Sequence, residues 1–388
     1  MHYKKALCII VPWLLTMPLQ AKKHFTKNAI AALEKGELAI AQHCIKQAVE
    51  NKATKLQGKT WYYRGVIYEE CMKQEVALDS ITYFLDEALA SYHKAMSLTR
   101  AKSRYHRFAI MKIDALWASY LNRGVRYYRK EAYDSAIENF AICKKIKPTD
   151  AYAYLYTAIA AHQDENYAVA IENYEQYIAL GYTSPAVYYG LASITEKHLQ
   201  DPDKACAILN EGLQQYPLNN ELNHASMQLL QTLNQLEEKE RQLKAKIAKD
   251  ISPITAYYQL AYLYETLGKQ EEAMAYYTQA LAIDAHLFEA NFRLAVLYYN
   301  QAVQLSHRID SGAMDASQAP DKQLTEVAHS YLYKALPLFE KAHATKPHDL
   351  LLLESLKNIY VRLNKIKKIK KIKKIINTLK KGVLHPVT

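Results

Sequence analysis

Apolar and small residues recur along the chain at the spacing of helix faces, and this recurrence has a longer period of 34 residues. The clearest copy begins at Ile254 and runs to about Asp284. Its positions 4, 7, 8 and 11 form one apolar stripe with a helical period, and its positions 20, 24 and 27 form a second. These positions hold Tyr257, Leu260, Ala261, Tyr264, Ala273, Tyr277 and Ala280, with Gly268 between the two stripes. The pattern predicts two amphipathic helices joined by a short turn.

The same phase recurs in other segments of the chain. Small residues at positions 8 and 20 predict a close approach of the two helices, and aromatic residues at positions 4, 11 and 24 predict the filling between layers. Strong copies are anchored by Tyr120, Gly124, Ala136 and Phe140, by Tyr154, Ala158, Ala170 and Tyr174, and by Tyr188, Ala192, Ala205 and Leu209. Weaker copies open at Phe25 and Trp61, and one that opens with Phe292 is interrupted before it resumes at Ala335.

With these residues the chain resembles the tetratricopeptide repeat (TPR) family. The resemblance covers most of residues 23–380. It implies an all-α fold, an α-solenoid in which stacked helix pairs wind into a right-handed superhelix with a concave inner face. Together with its N-terminal segment and its two interrupted units, the chain is more narrowly similar to exported multi-TPR proteins of Gram-negative bacteria.

The pattern also predicts how the chain is organised. The predicted segments are a signal peptide at 1–21, divergent TPRs with an insertion at 23–117, three regular TPRs at 118–217, a degenerate helical repeat at 218–250, further TPRs at 251–347, and a helix pair with a Lys-rich capping helix and a short tail at 348–388. Residues 306–322 are small and polar and predict an exposed loop that splits the last TPR. An extra turn or short helix is expected from Lys73 to Glu87, and a helix leading into the third repeat from Ala101 to Trp117.

The first 21 residues have the pattern of a secretory signal peptide. Lys4 and Lys5 precede an apolar run from Ala6 to Met17, and Ala21 provides a small residue at the cleavage position. The run is shorter than the ~20 residues that a membrane-spanning helix needs. We therefore expect cleavage after Ala21 and a periplasmic or envelope-associated protein. The alternatives are an uncleaved membrane anchor and a cytoplasmic protein with a buried first helix.

Positive charge is concentrated at the C-terminal end. The 388 residues include 50 Lys and Arg against 39 Asp and Glu, a net charge of +11. Nine of these lysines lie between residues 365 and 381, and without them the net charge falls to +2. A nearly neutral body disfavours a protein that tracks a nucleic-acid backbone along its length. The low content of Gly (10) and Pro (11) disfavours β-sandwiches and barrels.

The C-terminal lysines alternate with isoleucines at helical spacing. The apolar stripe predicts a terminal cap that packs on the array and keeps its outer face polar. A basic amphipathic helix on anionic lipid, or a contact for an acidic protein, are the alternatives. The helix disfavours nucleic acid as a partner, since no aromatic residue is interleaved to stack bases. The basic residues of this helix are Lys367, Lys368, Lys370, Lys371, Lys373 and Lys374.

The resemblance to TPR proteins implies that positions 2, 5, 9, 12 and 13 of each first helix line a groove. The implied partner-binding residues are Leu121, Val125, Tyr128, Arg129, Tyr152, Leu155, Ile159, His162, Tyr258, Tyr262, Glu265, Phe292, Val296 and Tyr299. Family members that clamp a terminal carboxylate use Lys, Asn and Arg at positions 2, 5, 6 and 9, which are largely apolar or aromatic here. The composition instead favours an apolar peptide or helix. The alternative is that these side chains pack against adjacent repeats.

Residues typical of catalysis or metal binding are not grouped in this sequence. The 14 histidines are scattered, no HExxH, GxSxG or phosphate-loop motif occurs, and Cys44, Cys71, Cys143 and Cys206 stand singly in helical patterns that predict burial. We expect no enzymatic activity, no cofactor and no metal. The predicted function is a non-catalytic scaffold or adaptor that binds a protein partner in an aromatic-lined TPR groove. The alternative is a peripheral membrane-associated assembly factor that docks through its basic C-terminal helix.

Overall fold

The computed structural model describes residues 24–75, 77–251, 253–312 and 322–383. Within these ranges the regular elements are 18 α-helices and no strand, and consecutive helices pair into nine hairpins. The predicted all-α repeat fold is confirmed. The predicted signal peptide and the end of the tail, residues 384–388, lie outside the described residues.

The chain divides into two compact units, and the first extends to Gly181. In this unit the first helices of successive hairpins also contact one another, so the odd-numbered helices form one side. The helices are α1 (Phe25–Glu34), α2 (Leu38–Glu50), α3 (Gly58–Met72), α4 (Leu78–Ser97), α5 (Arg104–Tyr128), α6 (Tyr133–Ile146), α7 (Ala151–Gln163) and α8 (Tyr167–Ala179).

The second unit begins at Tyr182 and has the same hairpin construction. Its first odd-numbered helices likewise contact one another. The helices are α9 (Pro185–Lys197), α10 (Pro202–Gln215), α11 (Asn220–Thr232), α12 (Leu236–Ala248), α13 (Pro253–Thr266), α14 (Gln270–Ile283), α15 (Phe288–Gly312), α16 (Lys322–Thr345), α17 (Leu350–Arg362) and α18 (Ile366–Val383). No helix in the described ranges is both long enough and apolar enough to cross a membrane.

In two hairpins of the first unit, an aromatic ring packs against a glycine of the other helix, as the sequence predicts. Gly65 of α3 faces the ring of Tyr92 in α4, and a Cβ at Gly65 would lie 2.5 Å from a ring carbon. Gly124 of α5 faces the ring of Phe140 in α6 even more closely. Both rings are fully buried. A bulky ring from one helix therefore occupies the space that a missing side chain leaves on the other.

Most hairpin turns contain one residue with left-handed backbone conformation. Gly268 has φ +72°, as its place between the two predicted stripes suggests. The same conformation occurs at non-glycine residues in the corresponding turns, with φ between +51° and +59°, namely Glu131, Glu165, Gln200, Asn234 and Asn364. The turn geometry is thus retained where the sequence lacks its glycine.

The structure corrects the predicted interruption in the last split repeat. The loop predicted for 306–322 is wrong for residues 306–312, because α15 continues to Gly312. The following helix, α16, begins at Lys322, and residues 313–321 lie outside the described residues. This hairpin buries three residues outside the positions of the two predicted stripes, which are Ala302 on α15 and Ala328 and Leu332 on α16. The added residues therefore lengthen both helices of this hairpin.

Two N-terminal irregularities are also lengthened helices. Most of the segment from Lys73 to Glu87 belongs to the 20-residue helix α4, which begins at Leu78. The helix predicted from Ala101 to Trp117 is continuous with the first helix of the third repeat, and both belong to α5. The predicted boundary between residues 117 and 118 therefore falls inside a single helix.

Candidate functional site

The odd-numbered helices of the first unit carry one part of the predicted partner-binding set. Leu121, Val125 and Tyr128 are half-buried on α5, and Arg129, directly after this helix, is exposed. The first three pack partly against a core cluster that contains Phe140. Each of the three therefore has one side in the interior and another at the surface.

Helix α7 continues this surface. Tyr152 is 55% exposed, and Leu155, Ile159 and His162 are half-buried. Their spacing of three and four residues places them on one side of the helix. The His162 ring contacts the rings of Tyr167 and Tyr174, with centroids 6.2 and 6.4 Å away. We call the apolar and aromatic residues on these two helices the α5–α7 surface, which consists of Leu121, Val125, Tyr128, Tyr152, Leu155 and Ile159.

In the second unit the structure corrects three of the predicted contacts. Tyr258 is 0% exposed, Tyr262 is 4% exposed and Phe292 is 8% exposed. Phe292 is stacked on Phe288 and meets the edge of Phe339, with centroids 5.9 and 6.0 Å away. These three side chains pack within the array, which was the alternative left open by the sequence. They are not available to a partner.

A polar network accounts for the burial of the two tyrosines. Arg293 of α15 reaches across α13, where its guanidinium lies 4.3 Å from the centre of the Tyr262 ring and donates to the Tyr262 hydroxyl over 2.7 Å. It also forms an ion pair with Glu265, with Nη1 and Oε1 3.0 Å apart. The hydroxyl of Tyr258 donates to Oδ1 of Asn220 on α11 over 2.6 Å. Three odd-numbered helices are thus joined through side chains that include Tyr258, Tyr262 and Glu265, which the groove positions alone would assign to a partner.

Buried phenols in this network stay protonated. Burial raises the pKa of Tyr258 above its ordinary value. Burial, and then the adjacent carboxylate of Glu265, raise the pKa of Tyr277 as well. The Tyr277 hydroxyl accordingly donates to Oε2 of Glu265 over 2.9 Å. Arg293 and Tyr277 therefore bind the two carboxylate oxygens of Glu265, which links α13 to α14 and α15.

Two predicted residues of the second unit remain near the surface. Val296 and Tyr299 are half-buried on α15. The Tyr299 hydroxyl accepts a hydrogen bond from Nε of Arg362 on α17 over 3.1 Å. Of the predicted set in this unit, these two residues are therefore the ones that a partner could contact.

The structure also reveals an aromatic cluster that the prediction omitted. Tyr62 and Tyr63 of α3 lie against Tyr105 and Phe108 of α5, with ring centroids 5.3 to 6.5 Å apart. All four rings are half-buried. With Trp61 at position 4 of its repeat, Tyr62 stands at groove position 5. Applying the groove positions to this weaker copy would have identified it.

Helix α18 packs as a terminal cap. Ile372 and Ile376 are buried against the core cluster that contains residues of α17, and Ile369, Ile375 and Leu379 pack beside them. The six lysines of the predicted basic helix are all exposed. Lys368 pairs with Glu340 of α16, and Lys380 pairs with Glu354 of α17 over 3.1 Å. Within the described residues, Lys367, Lys370, Lys371, Lys373 and Lys374 form no ion pair.

The cysteines have the character of core residues. Cys44, Cys71 and Cys143 are buried, and Cys206 is half-buried. Burial raises the pKa of Cys143 to about 12, which makes its thiolate scarce at neutral pH. Over the described part of the chain, no three His, Cys, Asp or Glu side chains come together as metal ligands would.

Comparisons with known proteins agree with this construction. Models of the tetratricopeptide repeat family match residues 157–220 and residues 254–287. No curated protein matches the chain.

Solved structures with the same kind of fold share little sequence with the chain. It is similar to a thermophilic TPR protein of Thermus thermophilus, at 21% identity over 47% of this chain and 98% of that one, with a TM-score of 0.28. It is also similar to the P58(IPK) TPR domain, at 14% identity over 89% and 99% of the two chains, with a TM-score of 0.32. A TPR repeats protein of Bacteroides fragilis NCTC 9343 aligns at 15% identity over 63% and 98%, with a TM-score of 0.26.

Proposed function

We propose that this chain, which is a tetratricopeptide repeat protein, is a non-catalytic scaffold that binds an apolar peptide or helix of a protein partner on the α5–α7 surface. TPRs are typically interaction modules, and protein partners fit that general role. The more specific proposal rests on the exposure of Tyr152 in line with half-buried Leu155 and Ile159. A large exposed ring beside aliphatic side chains offers contact area at little cost in side-chain entropy.

The form of this surface supports binding without rearrangement. Leu121, Val125 and Tyr128 are anchored on the core beneath them, and Tyr128 also contacts the Tyr133 ring at 5.6 Å. Side chains already held by the fold lose little freedom when a partner binds. An apolar strip on a partner peptide or helix would cover the outer parts of these residues.

The location that we propose for this scaffold is the cell envelope. The support is the signal-like pattern of residues 1–21. N-terminal sequencing of the protein from its native host tests the proposal. A mature chain that begins at Lys22 supports export with cleavage, whereas a mature chain that begins at Met1 contradicts cleavage.

The binding surface is tested with a matched pair of tyrosine variants in capture assays on the native-host envelope fraction. Tyr152→Ala removes an exposed ring from α7, and Tyr83→Ala removes a ring of similar exposure (52%) from the even-numbered helix α4. We expect Tyr152→Ala to lose most of the crosslinked partner and Tyr83→Ala to retain it. Equal capture by the two variants would show that the partner does not use the α5–α7 surface.

A second candidate function follows from the unpaired lysines of α18. Because the apolar stripe of this helix is packed on the array, it cannot insert into a bilayer, and a contact with anionic lipid would be electrostatic. Each lysine near an anionic surface contributes about 1 kcal/mol at physiological salt. The chain would then act as a peripheral membrane-associated assembly factor.

Liposome co-sedimentation of the full-length protein tests this second candidate. We expect pelleting with phosphatidylglycerol vesicles that disappears at high salt, because Debye screening weakens exposed charges. Replacing Lys370, Lys371, Lys373 and Lys374 by Gln should abolish it. Replacing the exposed Lys35, Lys52, Lys130 and Lys249 by Gln is the charge-matched control. Equal pelleting of both variants, or no pelleting of the native protein, would dismiss lipid docking.

A further inference from the structure

The α3–α5 aromatic cluster, which consists of Tyr62, Tyr63, Tyr105 and Phe108, is flanked by positive charge. The Lys59 ammonium lies 5.9 Å from the centre of the Tyr63 ring, and the Arg104 guanidinium lies 5.1 Å from the centre of the Phe108 ring. Cations over aromatic faces are attracted by the ring quadrupole, which holds them beside the cluster. Apolar surface and positive charge therefore lie side by side.

The two cations beside the cluster, and three others close to them in the sequence, lack carboxylate partners. Lys55, Lys102 and Arg107 are exposed, and neither they nor Lys59 and Arg104 form an ion pair within the described residues. From Arg100 to Lys112 the chain has five Lys and Arg and no acidic residue. Of these five cations Lys112 alone is in an ion pair within the described residues, so most of the charge here is uncompensated although the body of the protein is nearly neutral overall.

The acidic group beside the cluster is already neutralised. Glu69 of α3 is buried, and its Oε1 lies 3.1 Å from the Lys112 ammonium and 3.3 Å from the Lys73 ammonium. Its other oxygen accepts a hydrogen bond from the Tyr92 hydroxyl over 2.7 Å. A buried carboxylate with three such partners has no capacity to neutralise the cations at the surface.

The cluster also presents unused hydrogen-bond donors. The hydroxyls of Tyr62, Tyr63 and Tyr105 make no hydrogen bond within the described residues. Phenol hydroxyls and cations together form a set of donors, and the ligand groups that complement such a set are carboxylates and phosphates. The aromatic rings between them complement apolar side chains.

The ring geometry favours side chains over nucleobases. The five ring pairs in contact meet at interplanar angles from 45° to 90°, so none of these pairs is stacked in parallel. Single-stranded nucleic acid is held mainly by bases stacked flat on aromatic faces. Half-buried rings that cross in this way instead suit edge and partial-face contact with aliphatic or phenyl groups.

We infer that the α3–α5 aromatic cluster and its flanking cations bind an internal acidic segment of a protein partner, in which Asp or Glu residues alternate with apolar side chains. This inference rests on the proposed scaffold function and specifies the chemistry of part of its partner. An internal segment is favoured over a free C-terminus, because Lys59, Tyr62, Tyr63 and Val66 occupy the clamp positions and only Lys59 matches a terminal-carboxylate clamp. The carboxylates recognised here are therefore those of side chains.

The test is fluorescence anisotropy of the full chain with a blocked, labelled peptide in which pairs of Glu alternate with Phe. The comparison peptide has Gln in place of Glu, and labelled oligothymidylate is the nucleic-acid probe. We expect the acidic peptide to bind at least about tenfold more tightly than the Gln peptide, since hydrogen bonds to charged groups are the stronger ones. Unblocking its C-terminus should change the affinity less than twofold.

Variants assign this binding to the cluster. Arg104 is the first residue of α5, where a negative charge stabilises a helix, so Arg104→Glu reverses the charge without weakening the fold. We expect about tenfold weaker binding of the acidic peptide by Arg104→Glu and by Tyr63→Ala. Lys130→Glu changes an exposed charge beyond the far end of α5 and should leave the affinity within twofold. Circular dichroism melting confirms the fold of each variant.

Three results would overturn the inference. They are equal affinity for the acidic and Gln peptides, unchanged binding by Arg104→Glu, and tighter binding of oligothymidylate. If any of these occurs while Tyr152→Ala still loses its partner, the acidic preference is wrong and the scaffold function stands. If Tyr152→Ala also captures its partner normally, the α5–α7 assignment fails as well.

Discussion

The guanidinium of Arg293 lies over the ring of Tyr262 and donates a hydrogen bond to its hydroxyl. The two residues belong to the first helices of different hairpins, α15 and α13. The Tyr262 side chain projects from the surface that repeat position alone assigns to a partner, whereas Arg293 stands outside the groove positions. One long side chain from a neighbouring repeat is therefore enough to convert part of a binding surface into interior.

Replacing Arg293 by Ala should destabilise the second unit. The change removes the partner of the half-buried Glu265 carboxylate and the donor to Tyr262. Hydrogen bonds to charged groups contribute about 1.5–3 kcal/mol each, so we expect a loss of about 2 kcal/mol in the free energy of unfolding. Urea denaturation followed by circular dichroism measures it. The control is Arg241→Ala, which removes an exposed pair with Glu238 and should cost less than about 0.5 kcal/mol. Equal effects of the two changes would mean that the network has no structural role.

Adding a methyl group at Gly124 should disrupt the third hairpin. Its Cβ would overlap the ring of Phe140, which is buried and cannot move aside. Overpacking of this kind costs about 1–3 kcal/mol. A smaller side chain at position 140 should relieve the overlap, so Gly124→Ala should cost less in a Phe140→Leu background. A double-mutant cycle of unfolding free energies measures the difference, and simple additivity of the two changes would refute the proposed contact.

Introducing glycine in a hairpin turn should stabilise the fold. Glu131 has φ +59°, a conformation that costs a residue with a Cβ about 1 kcal/mol. Glu131→Gly is therefore expected to raise the free energy of unfolding by about 0.5 kcal/mol, part of the gain being offset by the greater freedom of glycine in the unfolded chain. Glu138→Gly, at an exposed site inside α6, should instead lower it by about 1 kcal/mol. Thermal melts of both variants provide the measurement. If Glu131→Gly were destabilised as much as Glu138→Gly, residue 131 would not be strained in the native turn.

His343 should make stability depend on pH in the mildly acidic range. Burial, and then the charges of Lys371 and His348, hold the pKa of His343 below its ordinary value of 6.5. When the pH falls through that value, the unfolded chain takes up a proton that folded His343 resists, so stability declines. We expect the decline between pH 7.5 and 5.5 to be smaller in His343→Gln.

Urea midpoints at the two pH values provide the measurement for His343. His329→Gln alters an exposed histidine of the same helix and serves as the control. A pH-dependent loss as large in His343→Gln as in the native protein would show that another group is responsible.

The repeat architecture was accessible from the sequence because its determinants are local. Alternation of small and bulky residues specifies which helix faces can approach, and Gly124 against Phe140 shows this pairing directly. Position in the repeat also located the half-exposed α7 residues, including Tyr152 and Ile159. These inferences need only the geometry of one hairpin and its neighbour.

Other features depend on contacts that the repeat pattern does not encode. The burial of Tyr258 and Tyr262 depends on the reach of Arg293 and on the position of Asn220, which lies 38 residues before Tyr258. The polar composition of residues 306–312 suggested a loop, whereas α15 continues through them as part of a lengthened hairpin. The prediction omits Tyr62 and Tyr63 because their repeat is interrupted, although Tyr62 stands at groove position 5.

Site-specific photocrosslinking tests the central claim most directly. A photoreactive phenylalanine analogue at Tyr152 of α7 and, separately, at Tyr83 of α4 would be activated in the native host, followed by mass spectrometry of the adducts. The account predicts one discrete protein adduct from position 152, lost when Ile159→Asp is added, and none from position 83. An adduct from position 83 alone, or one from position 152 that is unaffected by Ile159→Asp, would contradict it.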